Sequence, residues 1–462
     1  MATAIDRALR DAAPTPYWLD SPLRPPARPP LSGPTEADLV VVGGGYTGLW
    51  TALCAKERDP GRDVLLVDAE RVGGAASGRN GGFCAASLTH GDDNGRSRWP
   101  SEAGRLEALG HQNLDELVAA LDRHGIDADL RRSGELTVAT EPHQVADLRL
   151  GPADGRPHLS FLDRDEIRAE VRSPTYLAAR LDRSTAILDP AKLAWGLAAA
   201  CERLGVRIAE HTPVTGLGRS GTRIEVATGR GTVRARHVAL GTNAFPSPLR
   251  RVRPYVVPVY DYVLVTEPLT GAQWDEVGWS GRQGIGDSAN QFHYYRRTED
   301  GRILWGGYDA VYRFGGKVRD AYEHRDATYR VLAAHFFDTF PQLEGLGFSH
   351  RWGGAIDTCS RFCAFFGTAH DGAVAYALGY TGLGVGATRF GAQVMLDLLD
   401  GEPTERTELE MVRTKPIPFP PEPFAWLGIS ATRRSLDHAD RDEGRRNLWL
   451  RALDRAGMGF DS

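Results

Sequence analysis

Three sets of residues in this chain could do chemistry. Gly43, Gly45 and Gly48 in VVGGGYTG meet the pattern G-x-G-x-x-G, and Asp68 stands twenty residues beyond the last of them. Such a loop could hold a dinucleotide: Gly43 permits a tight turn, Gly45 lets a pyrophosphate approach the backbone, Gly48 lets a helix pack on a strand, and Asp68 can accept from ribose hydroxyls. Tyr260, Tyr262, Tyr295, Trp305 and Trp352 form a second set. Their ring faces could cage a cationic or neutral amine, although any single buried aromatic is ordinarily core packing. The third set is Arg296, Arg297 and Arg302. These could clamp an anion, although arginine on an exposed hairpin is ordinarily a solvated surface residue. Cys359 and Cys363 in CSRFC have no Cys or His neighbours at zinc spacing. They read as thiols, and no metal is expected.

Composition narrows what such residues could act upon. A formal net charge of -5, with no sustained basic block, speaks against a nucleic-acid partner, because phosphate backbones demand clustered positive charge. Nowhere do 18 uncharged apolar residues follow one another, and the opening MATAIDRALRDAAP lacks an apolar core, so neither a membrane span nor a signal peptide is expected. Five cysteines at irregular spacing suit reduced thiols and a cytoplasmic location.

The elements that must position these residues follow from patterning. Asp38 to Val42 reads as a buried strand, the glycine loop opens a helix through Leu49, Leu53 and Ala55, and Val64 to Val67 closes a βαβ unit at Asp68. A second glycine pattern, Gly216 to Gly221, precedes the strand-like TRIEV and no helix, so it reads as a hairpin turn and not as a second dinucleotide site. Residues 102–124 and 190–204 read as helices, and 206–240 as short strands. Residues 255–266 and 291–308 read as strands of a separate sheet, the latter folded back at Glu299-Asp300-Gly301. Residues 14–34 carry too many prolines for helix or central strand and read as an extended arm laid across its own domain. A second proline-rich stretch from 415 precedes a final charged helix around 437–455. The fold class is α/β, a Rossmann-type domain with a second, mainly antiparallel β (α+β) domain discontinuous in sequence.

VVGGGYTG, VDAERVGGAASGRNGG, LDPAKLAWGL, TPV, LGTNAF and WGGAID through GYTGLGVGATRFG occur in that order. Together they resemble the D-amino-acid oxidase/glycine oxidase superfamily of flavoproteins, and most of all its γ-glutamylputrescine-oxidoreductase-like branch, over roughly residues 15 to 400. The resemblance implies FAD as cofactor. It assigns the nucleotide loop (Gly43, Gly45, Tyr46, Thr47, Gly48, Asp68, Ala69) and places Ser77, Gly78, Arg79, Asn80, Gly81 and Gly82 against the pyrophosphate and flavin ring. Val214 is placed at the adenine, Gly241, Thr242 and Asn243 beside the pyrophosphate, and Gly379, Thr381, Gly382, Leu383, Gly384 and Val385 under the isoalloxazine. On this reading residues 36–100, 175–248 and 350–402 bind FAD, 101–174 and 249–349 form the substrate domain, 1–35 is the arm and 403–462 a C-terminal tail and helix. Relatives that attach FAD through a cysteine do so near Arg351 and Trp352, so noncovalent FAD is expected here.

Departures from the family pattern bear on substrate. Where amino-acid-oxidising members carry a carboxylate-clamping arginine, the matching residue is Ile356, and where sarcosine-type members carry a lysine, it is Gly386. A carboxylate without a bidentate partner in a closed pocket costs several kcal/mol. The expected reaction is therefore hydride transfer from a C–N bond of a polyamine or acylated diamine to FAD, with the imine hydrolysed and electrons passed to dioxygen or another acceptor. Tyr260, Tyr295, Trp305, Trp352 and Ile356 are the expected substrate contacts, with Trp305 aligned where sarcosine-oxidase-like members hold a lysine over the flavin. No catalytic base is named by the sequence. An N-methyl or D-amino-acid oxidase, with the hairpin arginines as clamp, stays open, as do an NAD(P)H-consuming flavin monooxygenase and a non-catalytic flavoprotein.

Overall fold

A computed structural model describes residues 3–149, 155–401 and 403–458. The first sheet is built on parallel strands in the order Val374–Leu378, Gly231–Leu240, Thr35–Val42, Val64–Val67, Arg207–Ala209, with Phe365–Ala369 antiparallel at one edge. Where its inner strands lie side by side they are apolar, Leu39–Val42, Val64–Val67, Val238–Leu240 and Val374–Leu378, because both faces are covered there. Helices Tyr46–Arg58, Pro190–Arg203, Gly384–Asp400 and Ala103–His124 share one core on one face. On the other face a second core includes the hairpin Val214–Ser220 and Arg223–Thr228, so the second glycine pattern is indeed strand followed by a turn, with Gly221 at φ +61°.

The helix starts are written locally. Asp189 accepts from the backbone N–H groups of Ala191 and Lys192, and Pro190 occupies the first turn, where its missing N–H costs nothing. Gly401 closes the Gly384–Asp400 helix in the left-handed region.

The second sheet runs Val311–Tyr312, Val257–Thr266, Ile303–Gly307, His293–Arg297, Gly284–Asp287, Glu135–Ala139, Ala178–Asp182, Leu159–Leu162, and is antiparallel except where Gly284–Asp287 meets Glu135–Ala139. Helix Asp326–Thr339 covers its outer face, where Tyr295, Trp305, Phe336 and Phe340 pack together. Strand pairing moves three segments relative to the sequence reading. Phe348–Thr358 pairs along the whole of Val257–Thr266, and Ala178–Asp182 pairs with Glu135–Ala139, so both belong to the second sheet. Helix Ala103–His124 lies in the core of the first. Apolar periodicity fixes which face of an element is buried, not against which partner, and these three were therefore misassigned.

The arm leads from helix Ala4–Ala8 across the first domain. Trp18 Nε1 donates to the Asn80 carbonyl at 2.9 Å, Arg28 pairs with Glu202 at 2.7 Å, and the Leu31 N–H donates to Thr212 Oγ1 at 3.0 Å. At the other end the single final helix read at 437–455 is two, Phe424–Arg441 and Leu448–Arg455, separated by a turn in which Gly444 has φ +74°. No helix among the described residues is long and apolar enough to cross a membrane.

Candidate active site

Between the two sheets lies a cavity of about 1040 Å³. One wall is the glycine loop. Gly43 has φ +110°, and a Cβ there would stand 2.4 Å from the Gly241 carbonyl oxygen; a Cβ on Gly48 would stand 1.8 Å from that of Gly43. Only glycine lets strand, loop and helix approach so closely. Gly45 caps helix Tyr46–Arg58 with no side-chain bond, and Gly45, Tyr46 and Thr47 face the cavity. An uncapped helix N-terminus concentrates unbonded N–H groups and partial positive charge.

A second uncapped N-terminus faces the same space. Helix Gly384–Asp400 starts after Leu383 without a side-chain cap, and Thr381, Gly382, Leu383, Gly384 and Val385 line the cavity. The loop before it is pinned by Asp357, whose Oδ2 accepts from the Gly379 N–H at 2.7 Å. Burial pushes the Asp357 carboxyl up to about 6 despite backbone donors from Gly379, Tyr380 and Thr381. The sequence did not single out Asp357, since one acid after WGGAI carries no periodic signal.

The segment from Ser77 to Gly82 is held from three sides. Asn80 Nδ2 donates to the carbonyls of Ala76 and Ser77, its Oδ1 accepts from the Gly82 N–H at 2.8 Å, and Ser77 Oγ accepts from the Tyr46 N–H at 2.9 Å. Trp352 Nε1 donates to the Arg79 carbonyl at 3.0 Å, and the Arg79 guanidinium pairs with Glu323. Ser77, Arg79, Asn80, Gly81, Gly241 and Asn243 line the cavity, and Thr242 Oγ1 is buried without a partner among the described residues. Gly78 and Gly82 are backbone spacers: a Cβ would meet the Gly73 carbonyl oxygen at 2.2 Å and that of Leu188 at 2.1 Å.

Asp68, Ala69 and Val214 lie outside the main cavity. Asp68 Oδ2 accepts from the Gly44 N–H at 2.6 Å and Oδ1 from the Glu70 N–H at 2.7 Å, while the Thr212 N–H donates to the Asp68 carbonyl at 2.7 Å. Burial raises the Asp68 carboxyl. The arm passes this end, where Arg71 donates to the Pro25 carbonyl. Two helix N-termini, a glycine cradle and an orphaned hydroxyl on one elongated cavity suit a long dinucleotide with a pyrophosphate at its centre and an anionic ring edge at one end.

Residues 38–398 match the family of FAD-dependent oxidoreductases typified by the D-amino-acid oxidases. The chain belongs to this family. FAD is its cofactor, and the resemblance read in the sequence extends to the branch. The chain is 32% identical to the γ-glutamylputrescine oxidoreductase of Escherichia coli over 80% of its own length and 85% of that protein. It is 23% identical to the sarcosine oxidase subunit beta of Rhodobacter capsulatus, over 69% of its length and 74% of that protein. The crystal structure of glycine oxidase from Geobacillus kaustophilus superposes with a TM-score of 0.69 at 18% identity, covering 83% of this chain and 99% of that one.

The opposite wall is the inner face of the second sheet. Trp352 and Ile356 line it, and Tyr260 reaches its edge, its hydroxyl accepting from the Arg319 N–H at 3.0 Å. Tyr295 and Trp305 do not line it. They stack on each other with centroids 4.4 Å apart in the core beneath the outer helix, and the Tyr295 hydroxyl bonds that of Tyr176 at 2.6 Å. Strand alternation turns the neighbouring Tyr294 inward instead, where its hydroxyl donates to Asp261 Oδ2. Burial pushes the Asp261 carboxyl up to about 6, against the lowering effect of the Tyr294 bond. Sequence reasoning missed both residues: Asp261 sits between Tyr260 and Tyr262, and HYYRR alone does not say which tyrosine faces in.

The hairpin arginines face elsewhere. Arg296 donates to the Leu188 carbonyl and lies over the Trp18 ring, Arg297 donates to the Trp279 carbonyl over Trp274, and Arg302 pairs with Asp300 at 2.7 Å. A Cβ on Gly386 would stand 2.4 Å from the Ala85 carbonyl oxygen, which leaves no room for a lysine stem. Cys359 Sγ donates to the carbonyls of Cys363 and Gly379 at 3.2 and 3.3 Å. Burial raises the Cys359 thiol and pushes Cys363 up to about 12. Both therefore stay protonated and poorly nucleophilic. Elsewhere at the rim, Glu107, His111 and His158 bring donor atoms within 4.8 Å of one another, a set that the sequence, where His158 lies far from the other two, does not reveal.

Proposed function

We propose that this chain oxidises a C–N bond of an amine whose reacting carbon bears no carboxylate, of the polyamine or acylated-diamine class. The observation that carries the reading is the charge at the reacting end. Ile356 occupies the clamp position, the three hairpin arginines are spent on other partners, and Arg79 is paired with Glu323. The ionisable group presented there is the Asp261 carboxyl with Tyr294 as its donor. A substrate carboxylate would meet like charge, whereas an ammonium would be held.

Bound FAD supplies the two-electron acceptor for hydride. The residues of the chain bind and orient. Trp352 and Tyr294 wall the reacting end, Asp357 holds the Gly379–Gly384 loop in place, and Asp261 takes the proton that the substrate ammonium must lose before its nitrogen lone pair can assist oxidation. A carboxyl near 6 suits that task at neutral pH. Similarity to γ-glutamylputrescine oxidoreductase at 32% identity supports the same reading.

Anaerobic titration of the FAD-loaded protein against polyamines, acylated diamines, N-methyl amines and amino acids tests it. Amines bleach the visible flavin band faster than α-amino acids do, and readmitted air reports whether dioxygen accepts the electrons. Faster bleaching by glycine, sarcosine or a D-amino acid refutes it, and bleaching by NAD(P)H alone points to a monooxygenase.

A further inference from the structure

A metal-ligating set stands at the rim of the cavity, apart from the flavin cradle. Glu107 and His111 lie four residues apart on helix Ala103–His124, so their side chains leave one face on successive turns. His158 comes to them from the other domain, one residue before Leu159–Leu162, the edge strand of the second sheet. One donor atom from each falls within 4.8 Å of the other two. The rings of His111 and His158 meet edge to face with centroids 5.2 Å apart, and both residues line the cavity.

The backbone that carries the set is fixed on both sides. Gly110 packs so closely that a Cβ there would stand 2.5 Å from the Ala86 carbonyl oxygen, and Asn113 Nδ2 donates to the Gly386 carbonyl at 2.8 Å. Opposite, the His158 carbonyl accepts from the Arg183 N–H at 3.0 Å. The side chains, by contrast, are unspent. Among the described residues no group hydrogen-bonds either imidazole, and Glu107 meets only Arg96, at 3.5 Å, whose side chain is 49% exposed. An exposed pair of that length is worth little. Arg156, two residues before His158, faces Asp92 and Asp93 at 3.7 and 3.3 Å, so its charge is already neutralised. Two imidazoles and a carboxylate thus converge from two domains with no hydrogen bond among them, and one cation satisfies all three.

We propose that Glu107, His111 and His158 bind one divalent transition-metal ion, of the imidazole-preferring class to which Zn²⁺ belongs, and that the ion ties the helix of the first domain to the edge strand of the second at the cavity rim. Two imidazoles and one carboxylate form a ligand set of that class, whereas Mg²⁺ and Ca²⁺ prefer oxygen alone. Around tetrahedral zinc, ligand atoms about 2.0–2.1 Å from the ion stand about 3.3–3.4 Å apart. The donors therefore draw together by about 1.4 Å at most, a shift that half-buried side chains make by turning about their χ angles. Three protein ligands leave the fourth position to water. The five cysteines are buried and offer no competing thiolate.

The test uses the untagged, FAD-loaded protein, stripped with a chelator and desalted, and Zn²⁺ alone, which has no redox chemistry of its own with the flavin. Calorimetry shows one equivalent bound per chain, and roughly a hundredfold excess of Mg²⁺ does not displace it. H111A, H158A and E107Q each weaken binding by well over tenfold, since losing even an outer partner of a ligand costs about 10–100-fold. At a zinc concentration about a hundredfold above Kd, the wild-type Tm rises by about 3 °C and that of H158A does not. No binding by the wild type, or binding that survives both H111A and H158A, overturns the site. Zinc held equally well by the wild type and H158A but lost from H111A refutes the tie between domains, and with it the proposal. Flavin content at the wild-type level in the three variants shows that they have folded. No amine enters the experiment, so its outcome is independent of the amine reading.

Discussion

Replacing Asp261 by Asn removes a titrating carboxyl and keeps its shape. Burial moves that carboxyl from 3.8 to about 6 in the folded chain. At about 1.4 kcal/mol per unit, the ionised form costs the folded state about 3 kcal/mol, a ceiling because cavity water can relax the site. The sign follows from proton counting. Below about pH 4 the carboxyl is protonated folded or unfolded and costs nothing. Between 4 and 6 the folded chain holds a proton that the unfolded chain has released, so stability falls as pH rises, and above 6 the full cost is present. Asn cannot titrate. About half of the difference, near 1.5 kcal/mol, falls between pH 5 and pH 8. Urea unfolding of both proteins at saturating FAD, which holds the binding contribution constant, therefore shows D261N gaining that much over the wild type across the interval. The same variant loses flavin reduction by amines. Parallel stability curves for the two proteins would refute the assignment of a raised, buried carboxyl to this site.

Other substitutions separate wall from core. Tyr294→Phe lowers kcat/KM for amines and shifts its acid limb, because Asp261 loses its donor. Tyr295→Phe leaves the kinetics unchanged and lowers stability by about 1 kcal/mol, the worth of one neutral buried bond to Tyr176, measured by denaturant unfolding. Gly48→Ala forces a Cβ into the Gly43 carbonyl, so the purified protein carries little or no flavin by absorbance. Gly386→Ala meets the Ala85 carbonyl and costs about 1–3 kcal/mol by overpacking, seen as a lowered Tm.

The cofactor was legible because its requirements are local. A turn that tolerates only glycine, a helix start and an acid at the end of the next strand occupy one stretch from Val41 to Asp68, and the constraints that select them act between neighbours in the chain. The helix starts at Asp189 and the hairpin at Gly221 are legible for the same reason. Sheet membership was not, since Phe348–Thr358 carries a strand pattern that would serve either sheet and its partner strand lies far away in sequence.

The same division runs through the site. The expectation that Ile356 stands in place of an arginine clamp rests on residue type and needs no coordinates. Which of Tyr294 and Tyr295 faces the cavity is a matter of register, and a shift of one residue along a strand exchanges the two faces. Asp261 and Asp357 have no signature of their own, for an isolated acid in a strand is ordinarily solvated. Their chemistry comes from burial and from neighbours on other strands. By itself the sequence determined the nucleotide cradle, the family and the cofactor, because covalent neighbours impose them. Only the tertiary structure decided which side chains line the cavity between the sheets and which carboxyls are buried there, because those are set by strands that meet across the sheet, where dielectric and partner are properties of the fold and not of any one segment.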